Sequence, residues 1–218
     1  MADTKPAPIK GMILAAGRGT RVRPLTHNIP KPMIPILGRP VMEYLVEHLA
    51  RHSVSKIMVN VAWHHGQIEN YFGDGNRFGV QLGYSFEGAR DNGDILHKPM
   101  SSADAMRKIQ DFGGFFDTTT LVVCGDALFD LDITAAVAEH RQRKALATVI
   151  TTDVPRDQVN NYGIVLTHPD GRVSSFQEKP SAEEARSTCA STGIYIFEPQ
   201  IIDLIPKDQP FDIGGELF

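Results

Sequence analysis

The sequence predicts an α/β fold: a Rossmann-like, mostly parallel sheet flanked by helices, followed by a smaller β-rich part. Three observations predict it. Short apolar runs alternate with amphipathic stretches, as in successive βαβ units. The first apolar run empties into a glycine-rich loop. Past Val154 the pattern changes to short strand-like runs separated by turn residues, which sets a division between residues 1–153 and 154–218.

The elements follow in order. Gly11 to Ala16 reads as a buried strand. From Val41 to His52, the residues Met42, Leu45, Val46 and Leu49 share one helical face. Ser55 to Val61 is a second apolar strand, Gln67 to Tyr71 lies in a helical stretch, and Val80 to Ser85 is a third strand. Thr120 to Cys124 is a short apolar strand ending in Gly125-Asp126. Ile133 to Lys144 is helical, with Asp132 placed to cap it, and Ala147 to Thr152 is strand again. Beyond these, Tyr162 to Thr167, Val173 to Gln177 and Ile194 to Phe197 are strand-like. The segment Gly88 to Ser102, polar and without periodicity, is expected to be the least ordered. The apolar ending Leu217-Phe218 leads us to expect more protein after it.

Of 218 residues, 42% are hydrophobic and 22% charged, enough for one sizeable core. Acidic residues number 26 against 22 basic, a net charge of −4, and no lysine-arginine block stands out; no nucleic-acid partner is expected. Cys124 and Cys189 lie far apart, which fits a reducing compartment rather than a disulfide framework. Neither a secretory signal nor a membrane-length apolar run is present, so no membrane partner and a cytoplasmic location are expected.

The strongest local signal runs from Leu14-Ala15-Ala16-Gly17-Arg18-Gly19-Thr20-Arg21 through Arg23-Pro24-Leu25-Thr26 to Pro30-Lys31-Pro32. Glycines directly after a strand let backbone N–H groups approach phosphate oxygens closely. Arg21 offers a bidentate fork and Lys31 a point charge, the latter fixed in reach by a proline on each side. Read as a lone GxG, the loop would be an ordinary turn with solvated basic residues. There is no GxxxxGK[ST], and Val22 stands where a dinucleotide fingerprint needs glycine, which argues against a nicotinamide dehydrogenase.

The run from Leu14 to Lys31 closely resembles the pyrophosphorylase loop of the sugar nucleotidyltransferases. The resemblance continues through Gly38-Arg39-Pro40, Gly125-Asp126, Tyr162-Gly163, Glu178-Lys179-Pro180 and Thr192-Gly193. It implies a nucleotide-diphospho-sugar transferase fold and a partnership with a nucleoside triphosphate and a sugar 1-phosphate. Leu14, Ala15, Ala16, Gly17, Gly19, Thr20 and Gly125 would bind nucleotide. Tyr162, Gly163, Glu178, Lys179, Thr192 and Gly193 would bind the sugar phosphate, and Arg21, Lys31 and Asp126 would be catalytic. Asp126 would also hold Mg²⁺, joined by a second aspartate from a region beyond Phe218. Overall resemblance favours GTP with mannose 1-phosphate, the alternatives being UTP, dTTP or ATP with glucose 1-phosphate. A homo-oligomer is a further implication.

Other residues carry weaker signals. Read without the resemblance, Asp126 fits a turn or cap aspartate as well as a carboxylate aimed at a cleft, and Glu178-Lys179-Pro180 fits an exposed turn. His64-His65 lacks partners at metal-ligand spacing. Trp63 reads as core or cleft wall, and Phe115-Phe116 as packing. Two departures from the family pattern stand out. Ser101 to Met106 replaces a glycine-containing clasp that precedes a helix in the family, so Asp104 is expected to crowd the nucleotide, and Ser191 stands where asparagine is usual. Both would suit a non-catalytic nucleotide-sugar sensor.

Overall fold

A computed structural model describes residues 7–91, 94–96, 100–207 and 209–218. Its strands are β1 (Lys10–Ala15), β2 (Lys56–Val61), β3 (Gln81–Phe86), β4 (Thr120–Cys124), β5 (Ala147–Asp153), β6 (Gly163–Thr167), β7 (Val173–Glu178) and β8 (Cys189–Phe197). Its helices are α1 (Val41–Arg51), α2 (His65–Phe72), α3 (Ser102–Gly113) and α4 (Ile133–Gln142). The strands join in one sheet of order β7-β6-β8-β4-β1-β2-β3, with β5 also paired to β8.

The sheet is parallel where the sequence alternates strand and helix. β1 pairs parallel with β2 and with β4, and β2 with β3. β8 then adds antiparallel to β4 and β5, and β6 pairs antiparallel with β7. Strands from both sides of residue 153 are thus hydrogen-bonded into a continuous sheet. A two-strand ribbon at Pro35–Ile36 and Arg39–Pro40 and another at Ala89–Asp91 and Asp94–Leu96 stand apart from it.

Central β1 is covered on both faces, which is why its sequence is apolar without alternation. Ile13 faces a cluster made with Met42, Leu45, Val46 and Leu49 of α1, Ile68 and Phe72 of α2, and Ile133 and Val137 of α4. Met12 faces the opposite cluster, with Ala103, Ala105, Met106 and Ile109 of α3 and Tyr195 and Phe197 of β8. The predicted α1 face is entirely buried, at 0–2% exposure for its four apolar residues; truncating one of them, Leu49→Ala, would cost about 2–5 kcal/mol. Phe115 and Phe116 pack edge to face at 5.6 Å, and Phe116 is core.

One expectation changes. Cys189–Phe197 is a strand of nine residues, longer than the expected Ile194–Phe197, because a bulge after Ser191 interrupts its apolar pattern. Of the segment 88–102, expected to be the least ordered, residues 92–93 and 97–99 lie outside the described residues; Ala89–Asp91 and Asp94–Leu96 form the ribbon, and Ser102 begins α3. No described helix is long and apolar enough to cross a membrane.

Candidate active site

The carboxyl ends of the parallel strands open onto a cleft of about 320 Å³, the position where open α/β sheets bind ligands. Leu14, Ala16, Gly17 and Arg18 line it from the end of β1, Asn60, Ala62 and Trp63 from the end of β2, and Glu87 from the end of β3. Met100, Ser101 and Ser102 close it at the start of α3, with Asp212 beside them.

The two glycines of the first loop do different work. Gly19 has φ +60°, and a Cβ there would stand 2.9 Å from Thr26 Cγ2 and 3.1 Å from Lys31 Cβ. Only glycine fits. Buried Thr26 ties the turn down by donating from Oγ1 to the Gly19 carbonyl at 2.7 Å, while Trp63 Nε1 donates to the Thr26 carbonyl at 3.2 Å. Trp63 is therefore a cleft wall, with the Arg18 guanidinium 5.5 Å from its ring centre. Gly17, by contrast, has nothing within 4 Å of a built Cβ and is exposed.

Pro30 and Pro32 are buried, and between them Lys31 begins a 3-10 turn through Met33. The turn closes with Met33 N donating to the Pro30 carbonyl at 2.8 Å. Gly125 then lets β4 approach: its N–H donates to the Leu14 carbonyl at 2.9 Å, and a Cβ would meet Pro32 Cγ at 3.2 Å. The result is that the Lys31 ammonium and the Asp126 carboxylate form an ion pair. Both side chains are partly exposed, at 41% and 28%, so the pair contributes only about 0–1 kcal/mol to stability. Arg21 lies exposed on the 3-10 turn Thr20–Val22, outside the cleft lining.

Across from this pair, the β8 bulge places Gly193, at φ +73°, against β4; a Cβ on it would stand 3.2 Å from Cys124 Sγ. Burial and the neighbouring Asp126 push the Cys124 thiol up to about 11, and Asp212 acts in the same direction. Thr192 Oγ1 donates to the Ile150 carbonyl at 2.9 Å. At the sheet edge, Gly163 and Glu178 are register partners, and Lys179 N donates to the Tyr162 carbonyl at 3.1 Å. Lys179 takes φ +46° and its ammonium pairs with Glu178. A Cβ on Gly163 would meet Phe176 Cζ at 2.1 Å and Cε1 at 2.4 Å, so the edge of that ring occupies the space where a side chain would stand.

The structure thus pairs Lys31 with Asp126 beside Gly125, brings Gly193 against Cys124, and groups Tyr162, Gly163, Glu178 and Lys179 separately at one end of β6 and β7. Buried Tyr195 accepts from Ser191 Oγ at 3.3 Å, and its phenol is pushed up to about 12, chiefly by burial.

Asp104 departs from expectation. It sits in the first turn of α3, where a helix favours a carboxylate, and it does not line the cleft. Ser191 is buried, donating to Tyr195 Oη at 3.3 Å and accepting from Gly193 N at 3.3 Å; it supports the bulge rather than facing outward. His64 Nε2 bonds the His27 carbonyl and His65 bonds Glu69, so the two rings serve separate partners. Sequence reasoning missed Asn60 and Glu87. The available signal for the first was an asparagine inside the apolar run Val59–Val61.

A cleft at the ends of parallel strands and a glycine turn with an open face stand beside a lysine-carboxylate pair, Lys31–Asp126, that lies outside the cleft lining. The chain matches the nucleotidyl transferase family over residues 10–214, and it belongs to that family. It is 58% identical over 210 residues to a UTP–glucose-1-phosphate uridylyltransferase of Synechocystis sp., covering 96% of this chain and 54% of that protein. It is 28% identical to a mannose-1-phosphate guanylyltransferase of Mycobacterium tuberculosis over the same shares. A crystal structure assigned as a glucose-1-phosphate thymidylyltransferase of Bacillus anthracis, in complex with a sucrose, superposes with TM-score 0.79 at 28% identity, covering 94% of this chain and 80% of that one. The chain spans about half the length of these two curated relatives.

Proposed function

We propose that this chain carries the nucleotide and sugar-phosphate sites of an enzyme that joins UTP to glucose 1-phosphate, giving a nucleoside diphosphate sugar and pyrophosphate. The observation that carries this reading is the Lys31–Asp126 pair at the open glycine turn. The choice of UTP and glucose rests on the 58% identical relative, and it replaces the GTP and mannose pair that overall resemblance favoured. Asp104 lies outside the cleft lining, although Ser101 and Ser102 of the altered 101–106 segment are part of it.

In this reading a phosphate oxygen of glucose 1-phosphate attacks the α-phosphorus of UTP, and the bond from that phosphorus to the bridging oxygen of pyrophosphate breaks. The chain's part is positioning and charge neutralisation. Lys31 stabilises charge at the α-phosphate, Arg21 meets the departing pyrophosphate, and Lys179 holds the sugar phosphate. Asp126 suits Mg²⁺, which takes one or two carboxylates together with phosphate oxygens and would neutralise phosphate charge there. Among the described residues no group of three or more His, Cys, Asp or Glu could hold a metal by itself.

The test is pyrophosphate release by the protein at its natural length, with UTP or GTP crossed against glucose 1-phosphate or mannose 1-phosphate. The fastest release is expected with UTP and glucose 1-phosphate. Faster release with GTP and mannose 1-phosphate would overturn the substrate choice, and no release with any pair would overturn the activity.

A further inference from the structure

Asn60 lies one residue from the end of β2, inside the apolar run Met58-Val59-Asn60-Val61, and is 2% exposed. A buried amide among apolar neighbours needs a partner for each polar atom. Its Nδ2 has one: it donates to Glu87 Oε1 at 2.6 Å. Its Oδ1 has none among the described residues, although Asn60 lines the cleft.

Glu87 fixes which way the amide points. It is 5% exposed, and its second oxygen accepts from the Met100 N–H at 3.0 Å. An ionised carboxylate only accepts, so it holds the NH₂ end of Asn60 and leaves the carbonyl end free. Burial raises the Glu87 carboxyl above its usual range, opposed by the bonds from Asn60 and Met100 and by the Lys108 charge, with Asp104 pushing the other way. Lys108 Nζ is held nearby on the Phe86 carbonyl at 2.5 Å.

The side of the cleft matters. The residues assigned to the sugar phosphate come from β6, β7 and β8, beyond β4, whereas Asn60 and Glu87 come from the opposite half of the sheet, past β1. A nucleotide whose phosphates meet Gly17 and Lys31 therefore directs its base toward Asn60. Uracil presents one ring donor, N3–H, between two carbonyl acceptors; cytosine has an acceptor at that ring position.

We propose that Asn60 is a specificity residue, its Oδ1 accepting a hydrogen bond from a ring N–H of the nucleobase, with Glu87 as the positioning residue that orients the amide. The inference deepens the functional reading above and rests on its placement of a nucleotide in this cleft. It assigns the cleft to bases carrying a ring imide or amide N–H and disfavours cytosine.

The experiment compares UTP with 3-deaza-UTP, in which a ring C–H replaces N3–H and the 4-oxygen becomes a hydroxyl, with little change of shape. Wild-type protein is expected to bind UTP roughly tenfold more tightly, the order of magnitude of one hydrogen bond to an otherwise unpaired acceptor. Asn60→Leu, of the same heavy-atom count, is expected to bring the ratio close to one. A readout that needs no variant is the imino proton of ¹⁵N3-labelled UTP. It should appear as a protected NMR resonance in the wild-type complex, so the proposal is tested even if Asn60→Leu does not fold. UTP binding with no protected imino proton, or with the tenfold ratio kept in Asn60→Leu, overturns the role of Asn60 alone. Wild-type protein that binds no UTP overturns this inference and the functional reading together.

Discussion

Gly193 on β8 packs against Cys124 on β4 so closely that a Cβ on the glycine would stand 3.2 Å from the thiol sulfur. Cys124 is two residues before Asp126, so this contact bears on how near the second half of the chain comes to the Asp126 carboxylate. The approach depends on the β8 bulge and on Gly193 holding φ +73°.

Gly193→Ala should therefore cost stability and sugar-phosphate affinity together. The left-handed backbone alone costs about 1–2 kcal/mol for an L-residue, and the new methyl must also displace the thiol. Urea denaturation should show that loss, and calorimetric titration should show weaker glucose 1-phosphate binding. Gly17→Ala is the control, since its Cβ would meet nothing within 4 Å; its stability should be unchanged while UTP affinity falls. A Gly193→Ala protein as stable as wild type would contradict the argued geometry.

Where a residue's environment is local in the chain, the sequence disclosed it. The 3.6-residue spacing of Met42, Leu45, Val46 and Leu49 found the buried face of α1. Asp132 was recognisable as a cap, and its Oδ1 accepts from Ala135 N at 3.0 Å. The tight turn at Lys31 was legible because flanking prolines restrict backbone freedom on the spot. What escaped depended on contacts distant in sequence. Asn60 and Glu87 are 27 residues apart and meet only because β2 and β3 are parallel neighbours. Asp104 misled because it was read through the family's glycine-containing clasp, whereas Ser102 opens a helix whose buried face (Ala103, Ala105, Met106) packs into the cluster with β1, β4 and β8. Likewise nothing local shows that Ser191 turns inward to Tyr195.

Lys31 and Asp126 being paired leads to a second expectation, about metal affinity rather than rate. In Lys31→Ala the carboxylate loses a competing cation, so Mn²⁺ or Mg²⁺ alone should bind about two- to fivefold more tightly. That range follows from roughly 1 kcal/mol for unit charges at contact in water, reduced for partial exposure. Turnover should fall in the same variant by about 10²- to 10³-fold, the usual cost of removing one positioned electrostatic group. Asp126→Asn should weaken metal binding. Direct titration of the cation, without nucleotide, reads the effect. Unchanged affinity in Lys31→Ala would mean that the pair does not guard the metal position.

Two buried titratable groups should give opposite slopes of stability against pH. His140 is 1% exposed, and burial lowers its pKa below the usual 6.5, against an opposing pull from Glu198. The carboxylate at 3.2 Å can only accept, so Nε2–H donates to Glu198 and Nδ1 accepts from the Thr148 hydroxyl at 2.7 Å. Because the folded ring resists a proton that the unfolded ring takes near pH 6.5, its contribution is full above that value. It is lost as pH falls through the folded pKa. Glu87 has the reverse sign. Its folded pKa is raised above 4.5 by burial, so its contribution is full below pH 4.5 and is lost as pH rises through the folded value. Between about pH 4.5 and 6.5 the two effects oppose each other in the wild-type protein. Glu87→Gln should therefore make the loss of stability on acidification steeper than in wild type, and His140→Gln should make it shallower or reverse it. Unfolding free energies from urea titrations at half-unit pH steps would show both changes, and parallel curves for the two variants would refute the assignment of either group.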